Sequence, residues 1–264
     1  MNDSKLEMSL ALQNAAEAGD LKFVLQLLDY DFDQAFAVVD PSDTYSNQLI
    51  HLAVEFGMPE LVTFLLQECH VDINARGYDG KSPLHVAALH GDIKLAQLLI
   101  GFGADINARS ESGITPLMST QYSRFVGADK VAELLLNQGA RLDIYSALKL
   151  GSIDDARQIV ASDPNSLQGF QGEATTLLIS AVISTKEFEL LRSILECGLV
   201  ISADTFTWFL RQRDESSLDA VRLLANFTDP PHCQWDPSEM LSVAIKERNV
   251  PAQKTLSELV DKRT

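Results

Sequence analysis

Apolar residues recur along the chain at helical spacing, in short runs that end at a glycine. Leu95, Leu98 and Leu99 are three and four residues apart, which places them on one face of a helix. The preceding run contains two adjacent alanines and ends at Gly91, where a glycine favours a left-handed cap. The pattern predicts two short helices in succession, the first with a face of small residues against which its partner packs closely.

Other stretches of the chain show the same two-helix pattern with fading fidelity. Pro59 and Pro251 fall where the second helix of a pair would begin, a position at which proline leaves no amide donor unsatisfied. We expect an all-α-dominated fold of about seven to eight such units, the last of them degenerate. Beyond the clearest copies, helix pairs are predicted at residues 14–28, 146–160, 175–198, 205–227 and 239–260.

The sequence also repeats itself at a nearly constant period. ARGYDGKSPLHVAALHG begins at Ala75, and ARSESGITPLMSTQYS begins at Ala108, 33 residues later. Upstream, NQLIHLAVEFGMPELVTFLLQECHVDINA aligns with the same segment at an offset of 34, so that His51 falls on His85. Self-similarity at this period indicates supersecondary units that stack side by side.

These repeats strongly resemble the ankyrin repeat, whose pattern is roughly G-x-T-P-L-H-x-A-A-x-x-G, a leucine-rich helix, and then G-A-D-x-N-A. The resemblance implies a repeat solenoid of helix pairs with short β-hairpin fingers, and a role in binding other proteins without a cofactor. The matching residues are Gly80, Ser82, Pro83, Leu84, His85, Ala87, Ala88, Gly91, Leu98, Leu99, Gly103, Ala104, Asp105, Asn107 and Ala108.

The resemblance divides the chain into two regions. Residues 1–143 are expected to hold an N-terminal capping helix pair and three well-matched ankyrin repeats. Residues 144–264 are expected to hold degenerate ankyrin-like helix pairs and a C-terminal cap, continuous with the first part. Only 4 residues separate Asp143 from Ala147, against 13 at the equivalent positions Asn74 and Ala87, so the finger is predicted to be missing there. About three extra residues in YSRFVGADK are predicted to lengthen the loop between two helices.

Charge narrows the class of partner. The 264 residues include 21 Lys and Arg and 37 Asp and Glu, a net charge of −16. Such a surface repels the phosphates of nucleic acids and anionic membranes, so neither is an expected partner. Residues 1–143 carry a net −11 and residues 144–264 a net −5, so the acidity is concentrated where the fingers are predicted. A protein with a basic surface is the partner that this charge favours.

Cysteine usage and the apolar runs bear on location. Cys69, Cys197 and Cys233 show no C-x-x-C spacing, so no zinc site or redox dithiol is indicated, and free thiols fit a reducing compartment. The N-terminus MNDSKLEMSLALQNAAEAG lacks the apolar core of a signal peptide, and no apolar run approaches the length of a membrane span. We expect a cytoplasmic monomer, and export into another cell by a different signal stays open.

Ser82 and His85 are the first candidates for catalysis, with Asp92 and Asp105 nearby. A nucleophile and base at this spacing would also need an orienting group and an oxyanion hole. The alternative is structural, with a serine that caps a helix and a histidine that ties neighbouring repeats together. We favour the structural interpretation because His85 recurs as His51 without a serine before it, and Thr115 recurs with Met118 in place of the histidine.

Other candidate sites are weaker. No phosphate-binding loop or H-E-x-x-H helix is present in the sequence. The segment DPPHCQWDP, residues 229–237, clusters possible metal ligands, but we interpret it as a connecting loop. Trp208 and Phe209 lie in an apolar helical run and are predicted to be core residues. Neither a metal nor a cofactor is therefore expected.

The candidate binding surface follows from the ankyrin resemblance, which implies a concave face made of finger tips and the exposed side of each first helix. Several of these positions are aromatic or apolar where a framework needs nothing apolar, which is the composition of binding hot spots. The predicted partner-binding residues are Tyr45, Asn47, Glu55, Phe56, Tyr78, Asp79, Lys81, Leu89, His90, Glu111, Ile114, Tyr122 and Ser123.

The predicted function is that of a non-catalytic protein–protein interaction module, an acidic ankyrin array that binds a protein partner through this face. It would serve either as a scaffold or as an inhibitor that covers one target. Two alternatives stay open: an enzyme hidden in residues 165–264, and a host-directed bacterial effector or adaptor.

Overall fold

A computed structural model of the chain describes residues 49–68, 70–167, 170–211, 233–234 and 236–263, with isolated positions at 11, 14–15, 18–20, 22–24, 26, 218, 221 and 224. The chain divides into two compact units, unit 1 from Met1 to Leu142 and unit 2 from Asp143 to Thr264. Helices dominate both units, which fits the predicted helical repeat fold.

Between Leu49 and Asn137, unit 1 contains three consecutive helix pairs. The first helices of the pairs are α1 (Leu49–Glu55), α3 (Pro83–His90) and α5 (Pro116–Tyr122). The second helices are α2 (Pro59–Gln67), α4 (Ile93–Gly101) and α6 (Ala128–Asn137). The first helices pack on one another in chain order, and the second helices form another layer in the same order. Each pair therefore contacts its neighbours through both layers.

Local signals set the bounds of these helices. Helix α3 begins after Ser82, with Pro83 in its first turn, and ends at Gly91, which has a left-handed φ of 67°. Helix α4 begins after Asp92, whose carboxylate accepts hydrogen bonds from the N–H groups of Lys94 and Leu95, both at 3.0 Å. These bonds satisfy amide donors that the first turn of a helix leaves without partners.

The core of unit 1 includes leucines of the second helices and alanines of the first, together with larger first-helix residues such as Leu84 and Leu117. Leu95 and Leu99 of α4 have no exposed surface, and neither have Ala87 and Ala88 of α3. Leu98 is only half-buried at the edge of this core. The small side chains of the first helices let the two layers approach closely, as the sequence predicts.

The connections between pairs in unit 1 are turns closed by hydrogen bonds. Residues 70–82 and 104–115 contain no β-strand, so the predicted β-hairpin fingers are not confirmed as paired strands. Instead, the N–H of Gly77 donates to the carbonyl of Lys81, and that of Ser110 donates to the carbonyl of Ile114, both at 2.9 Å. We call residues 77–81 and 110–114 the finger loops.

Unit 2 is also built from helix pairs. Its helices are α7 (Ile144–Lys149), α8 (Ile153–Ser162), α9 (Gly172–Ser184), α10 (Phe188–Glu196), α11 (Ala203–Arg211), α12 (Pro237–Lys246) and α13 (Val250–Arg263). Helices α7, α9, α11 and α12 pack successively on one another, α8 packs on α10, and α13 packs on α12. Strand β1 (Ile201–Ser202) runs parallel to β2 (Cys233–Gln234), with Ile201 opposite Cys233.

Most of the predicted helix pairs are present where the described residues cover them. Helices lie within the pairs predicted at 146–160, 175–198 and 239–260, and Pro59 and Pro251 lie in the first turns of α2 and α13. The pair predicted at 14–28 and the second helix of 205–227 lie largely outside the described residues. The number of seven to eight units stays a prediction, as does the continuity of degenerate repeats through residues 144–264.

Two predicted departures from the repeat pattern are confirmed. Fourteen residues, 102–115, connect α4 to α5, but only six, 138–143, connect α6 to α7, which is too few for a finger. Five residues, Ser123 to Gly127, join α5 to α6, whereas Gly91 and Asp92 alone join α3 to α4.

Candidate protein-binding surface

Ser82 and His85 form a hydrogen-bonded pair in the first turn of α3. Nδ1 of His85 accepts from the backbone N–H of Ser82 at 3.0 Å and lies 2.8 Å from the Ser82 hydroxyl oxygen. Nε2 of His85 lies 2.9 Å from the carbonyl oxygen of Ile114. Because a carbonyl only accepts, Nε2 carries the ring proton and Nδ1 accepts from both donors of Ser82.

Burial makes this pair unsuitable for catalysis. His85 is 1% exposed and Ser82 is 3% exposed, so no substrate reaches either side chain. Burial also lowers the pKa of His85 from 6.5 to about 4, against the opposing effect of the hydrogen bond to Ile114. The positive charges of Lys81 and Arg76 lower it further. The pair is a capping box whose histidine also reaches the next repeat.

His51 makes the same connection one repeat earlier. Its Nε2 lies 2.9 Å from the carbonyl oxygen of Lys81, the residue before the cap of α3. In the third repeat Met118 replaces the histidine, and only the Thr115 hydroxyl remains, which accepts from the N–H of Met118 at 3.1 Å. The histidines thus link successive repeats, and this geometry supports the structural interpretation.

Neither aspartate near Ser82 completes a catalytic triad. Asp92 caps α4, as described above, and Asp105 accepts from the N–H of Asn107 at 2.9 Å in a local turn. Asparagine side chains add a second set of links between repeats in unit 1. Oδ1 of Asn74 accepts from the N–H of Asp105, and Oδ1 of Asn107 accepts from the N–H of Arg141, both at 2.8 Å.

The tips of the finger loops carry a cluster of aromatic and charged side chains. Tyr78 is 45% exposed, and Nζ of Lys81 lies 6.0 Å from the centre of its ring. Asp79, in a left-handed conformation, lies 3.9 Å from Lys81 and accepts from the Ser112 hydroxyl at 2.6 Å. Its carbonyl accepts from the N–H of Glu111 at 2.8 Å, which joins the two finger loops. Asp79 is therefore committed to loop structure.

The predicted positions on the first helices are exposed to different degrees. Glu55 is exposed, whereas Leu89, His90 and Tyr122 are half-buried, and Phe56 packs partly against the core. Ser123 is tied to the framework because its hydroxyl donates to the carbonyl of Leu89 and accepts from the N–H of Phe125. On the first helices, the side chains that remain available to a partner are therefore chiefly the larger ones, those of Glu55, Phe56, Leu89, His90 and Tyr122.

One predicted binding residue is wrong, and two cannot be placed. Ile114 has no exposed surface, so it cannot contact a partner. It lies directly before the cap residue Thr115, and its carbonyl accepts the hydrogen bond from Nε2 of His85. Tyr45 and Asn47 lie outside the described residues.

The longer loop of the third repeat adds two residues that sequence reasoning missed. Phe125 is 56% exposed and Val126 is fully exposed, and the Phe125 ring packs edge-on against His90 with 4.8 Å between ring centres. The loop lies directly against the end of α3: a Cβ added to Gly127 would be 2.6 Å from the Gly91 carbonyl oxygen. The sequence signal for this exposed apolar surface was the presence of two apolar residues within a three-residue insertion.

Trp208 is a second missed surface residue. It is 40% exposed, so its prediction as a core residue is wrong, whereas its neighbour Phe209 is buried as predicted.

Residues that could hold a metal are not grouped in the described part of the chain, where no three His, Cys, Asp or Glu side chains come together. Most of the segment 229–237, including His232, lies outside it. None of the helices in the described ranges is both long enough and apolar enough to cross a bilayer.

Comparison with known proteins finds a family match in part of the chain. Residues 50–146 match the family model of ankyrin repeats in three copies. The chain is 43% identical over 75 residues to serine/threonine-protein kinase VIK of Arabidopsis thaliana, a match that covers 28% of this chain and 16% of the kinase. It is 35% identical over 94 residues to target of rapamycin complex 2 subunit AVO2 of Saccharomyces cerevisiae, a match that covers 35% of this chain and 21% of that protein.

A third relative is NF-kappa-B inhibitor alpha of Homo sapiens, 38% identical over 72 residues, which covers 25% of this chain and 23% of that protein. The chain thus spans less than a quarter of the length of each of these relatives. The family match, the two helix layers and the histidine links between repeats identify residues 50–146 as three ankyrin repeats, a type of repeat that serves as a protein-interaction module.

Proposed function

We propose that the chain binds a protein with a basic surface, through the finger loops of unit 1 and the adjacent ends of its first helices. The observation that carries the proposal is the contrast between framework and surface in unit 1. The polar groups of Ser82, His85 and Asp79 form hydrogen bonds within and between repeats. In contrast, Tyr78 and Glu111 extend from the finger loops into solvent. We call Glu55, Phe56, Tyr78, Lys81, Leu89, His90, Glu111, Tyr122 and Phe125 the contact surface.

The shape of this surface suits recognition of a folded partner. Backbone and asparagine hydrogen bonds hold successive loops in register, so the exposed side chains start from a preorganised position and lose little entropy on binding. Tyr78 is the best candidate anchor because a large aromatic side chain with a polar end dominates the energetics of many interfaces.

The net negative charge of residues 1–143 favours a partner with a positively charged surface. Residues 1–143 contain 9 Lys and Arg against 20 Asp and Glu. Complementary charge mainly accelerates association and disfavours wrong partners, so a cationic protein would be selected at the encounter stage. One relative, NF-kappa-B inhibitor alpha, is named as an inhibitor. This likeness supports the version of the proposal in which binding blocks the activity of the partner.

The enzyme alternative has no observation in its favour. The described residues between 165 and 264 contain no histidine, and the single histidine of that segment, His232, lies outside them. The relatives named as kinases match this chain over 48 to 137 residues, which is 6% to 18% of their lengths.

The test uses charge reversal with a matched control. The site variant is Glu55→Lys with Glu111→Lys, and the control is Glu60→Lys with Glu133→Lys on α2 and α6. All four residues are exposed, and both variants change the net charge equally. A protein that the wild type and the control capture from lysate, but the site variant does not, is then purified for kinetic measurement.

With the purified partner, we expect the site variant to associate about tenfold more slowly than the control at low salt, and the difference to vanish as salt screens it. Tyr78→Ala should raise the dissociation rate on the order of tenfold without changing this salt dependence. If the partner is an enzyme, the inhibitor version predicts loss of its activity at a one-to-one ratio. Equal binding by the site variant and the control would reject the proposed surface.

A further inference from the structure

Unit 2 contains a groove between the first helices of two successive pairs. Helices α9 and α11 enclose a volume of about 470 Å³, and Trp208 forms one wall. Thr176 and Leu177, both in the second turn of α9, also line it. Only residues 197–202 connect α10 to α11 here, which is too few for a finger loop in this connection.

The floor of the groove is a chain of hydroxyl groups. Oγ1 of Thr205 lies 3.1 Å from Oγ1 of Thr176 and 3.0 Å from Oγ of Ser202. Ser202 also caps α11 by accepting from the N–H of Thr205 at 3.2 Å. Since each hydroxyl oxygen has two lone pairs, the floor offers acceptors to a ligand that brings donors.

The charges at the groove are acidic. Asp204 and Glu173 line it from the first turns of α11 and α9, and none of its lining residues is Lys or Arg. Arg211 is on the same face of α11 as Asp204 and Trp208, but it pairs with Glu247 at 3.3 Å. The groove therefore combines an accessible indole face, two carboxylates and hydroxyl acceptors.

We infer that this groove, the Trp208 groove, binds an arginine side chain of a basic peptide segment in a partner protein. A guanidinium stacks on an indole face and donates up to five hydrogen bonds in one plane, which suits a carboxylate and hydroxyl acceptors together. A lysine ammonium satisfies the charge but lacks the flat face, so it binds more weakly. The site lies in unit 2 and is independent of the contact surface proposed for unit 1.

The experiment titrates the full chain, labelled with ¹⁵N, with short blocked peptides. The probe is acetyl-Gly-Ser-Arg-Ser-Gly-amide, compared with the same peptide containing lysine or neutral citrulline in place of arginine. The indole N–H signal of Trp208 is assigned by its absence from the spectrum of Trp208→Phe. We expect this signal to shift with the arginine peptide, to shift less with lysine at equal concentration, and not to shift with citrulline.

Two substitutions locate the binding energy. Asp204→Asn should weaken the arginine peptide about threefold at low salt, since an exposed ion pair of this kind contributes little more. Asp155→Asn, a matched exposed acid in the first turn of α8, should leave the affinity unchanged. Trp208→Ala, followed through the amide signals of α9, should weaken binding on the order of tenfold.

Several results would overturn the inference. They are an unshifted indole signal at millimolar arginine peptide, equal shifts with citrulline, and equal weakening by the Asp204 and Asp155 substitutions. None of them bears on the contact surface of unit 1, which is tested with a folded partner and with substitutions in unit 1 alone.

Discussion

The two units use one helical plan but hold their repeats together differently. In unit 1, side chains reach from one repeat to the backbone of the next, as His85 does to Ile114 and Asn107 to Arg141. Asp143 of unit 2 aligns with Asn107, yet it bonds the N–H and hydroxyl of Ser146 in its own helix, at 2.9 and 2.8 Å. Where the finger is missing, the residue aligned with Asn107 therefore caps its own helix.

Unit 2 has its own links between helix pairs. Nδ2 of the buried Asn249 donates to the carbonyl of Leu210 at 2.9 Å, and Arg157 pairs with Glu187 at 2.6 Å. These bonds fix α11 to the start of α13 and α8 to the start of α10. If the finger loops of unit 1 serve recognition as proposed, unit 2 differs from unit 1 in that only residues 197–202 connect α10 to α11 beside the groove lined by Trp208.

The largest expected effect tests whether packing is equivalent in the two units. Leu99→Ala in α4 and Leu191→Ala in α10 each remove a side chain with no exposed surface. Each substitution should lower the free energy of unfolding by about 2–5 kcal/mol, because a cavity replaces packed leucine atoms. Urea denaturation of both variants measures this loss, and a negligible effect of Leu191→Ala would show that unit 2 is not packed like unit 1.

The next effect concerns the histidine link, which is found in unit 1. The folded pKa of His85 is about 4, below the unfolded value of 6.5, so the folded state prefers the neutral ring. The stability that the neutral His85 ring contributes is fully present above pH 6.5. It is lost as the pH falls from 6.5 to 4, where His85 of the folded protein also becomes protonated. The wild type should lose on the order of 3 kcal/mol over this window through His85.

A comparison of the wild type with His85→Ala separates the titration of His85 from the titration of the carboxylates. His85→Ala should be less stable than the wild type at pH 7 by about 2 kcal/mol, since it leaves the Ile114 carbonyl and the Ser82 N–H without their partner. Its stability should change less between pH 6.5 and 4 than that of the wild type. Parallel pH profiles of the two proteins would mean that the buried ring is not neutral as described.

A smaller effect compares the aligned residues Asn107 and Asp143. Asn107→Ala should cost about 1 kcal/mol through loss of one hydrogen bond to the next repeat. Asp143→Ala should cost about 1–2 kcal/mol through loss of a helix cap. Hydrogen exchange separates the two mechanisms: the amide of Arg141 should exchange faster in the first variant, and that of Ser146 in the second. Faster exchange of both amides in both variants would contradict the distinction.

A similarly small effect is expected at Trp208. Because its side chain is 40% exposed but packs edge-on against Phe209, Trp208→Ala should lower the free energy of unfolding by only about 1 kcal/mol. Phe209→Ala, its buried neighbour, should cost about 3–5 kcal/mol. Thermal denaturation of the pair decides the matter, and a large loss from Trp208→Ala would mean that the indole belongs to the core.

Local signals account for what the sequence predicted correctly. Ser82, Pro83 and Gly91 specify where α3 begins and ends, and the shortened and lengthened connections follow from counting residues between such signals. Exposure was harder to predict because it depends on which face of an element meets its neighbours. Ile114 seemed to be at a finger tip but is packed, and Trp208 seemed to be part of an apolar run but is half exposed.

Helical periodicity contained the signal for Trp208. Phe206, Phe209 and Leu210 define the buried face of α11, and Trp208 shares the opposite face with Asp204, four residues earlier. No periodic signal was available for Ile114, because it lies in a loop and its burial comes from contacts with other parts of unit 1.

Hydrogen exchange of the complex with the captured partner tests the central claim most directly. If unit 1 binds through its contact surface, peptides that contain the finger loops 77–81 and 110–114 and the loop 123–127 should be protected in the complex. Peptides confined to α4 and α6 should exchange as in the unbound chain. Protection confined to α4 and α6, with the finger loops unchanged, would contradict the account.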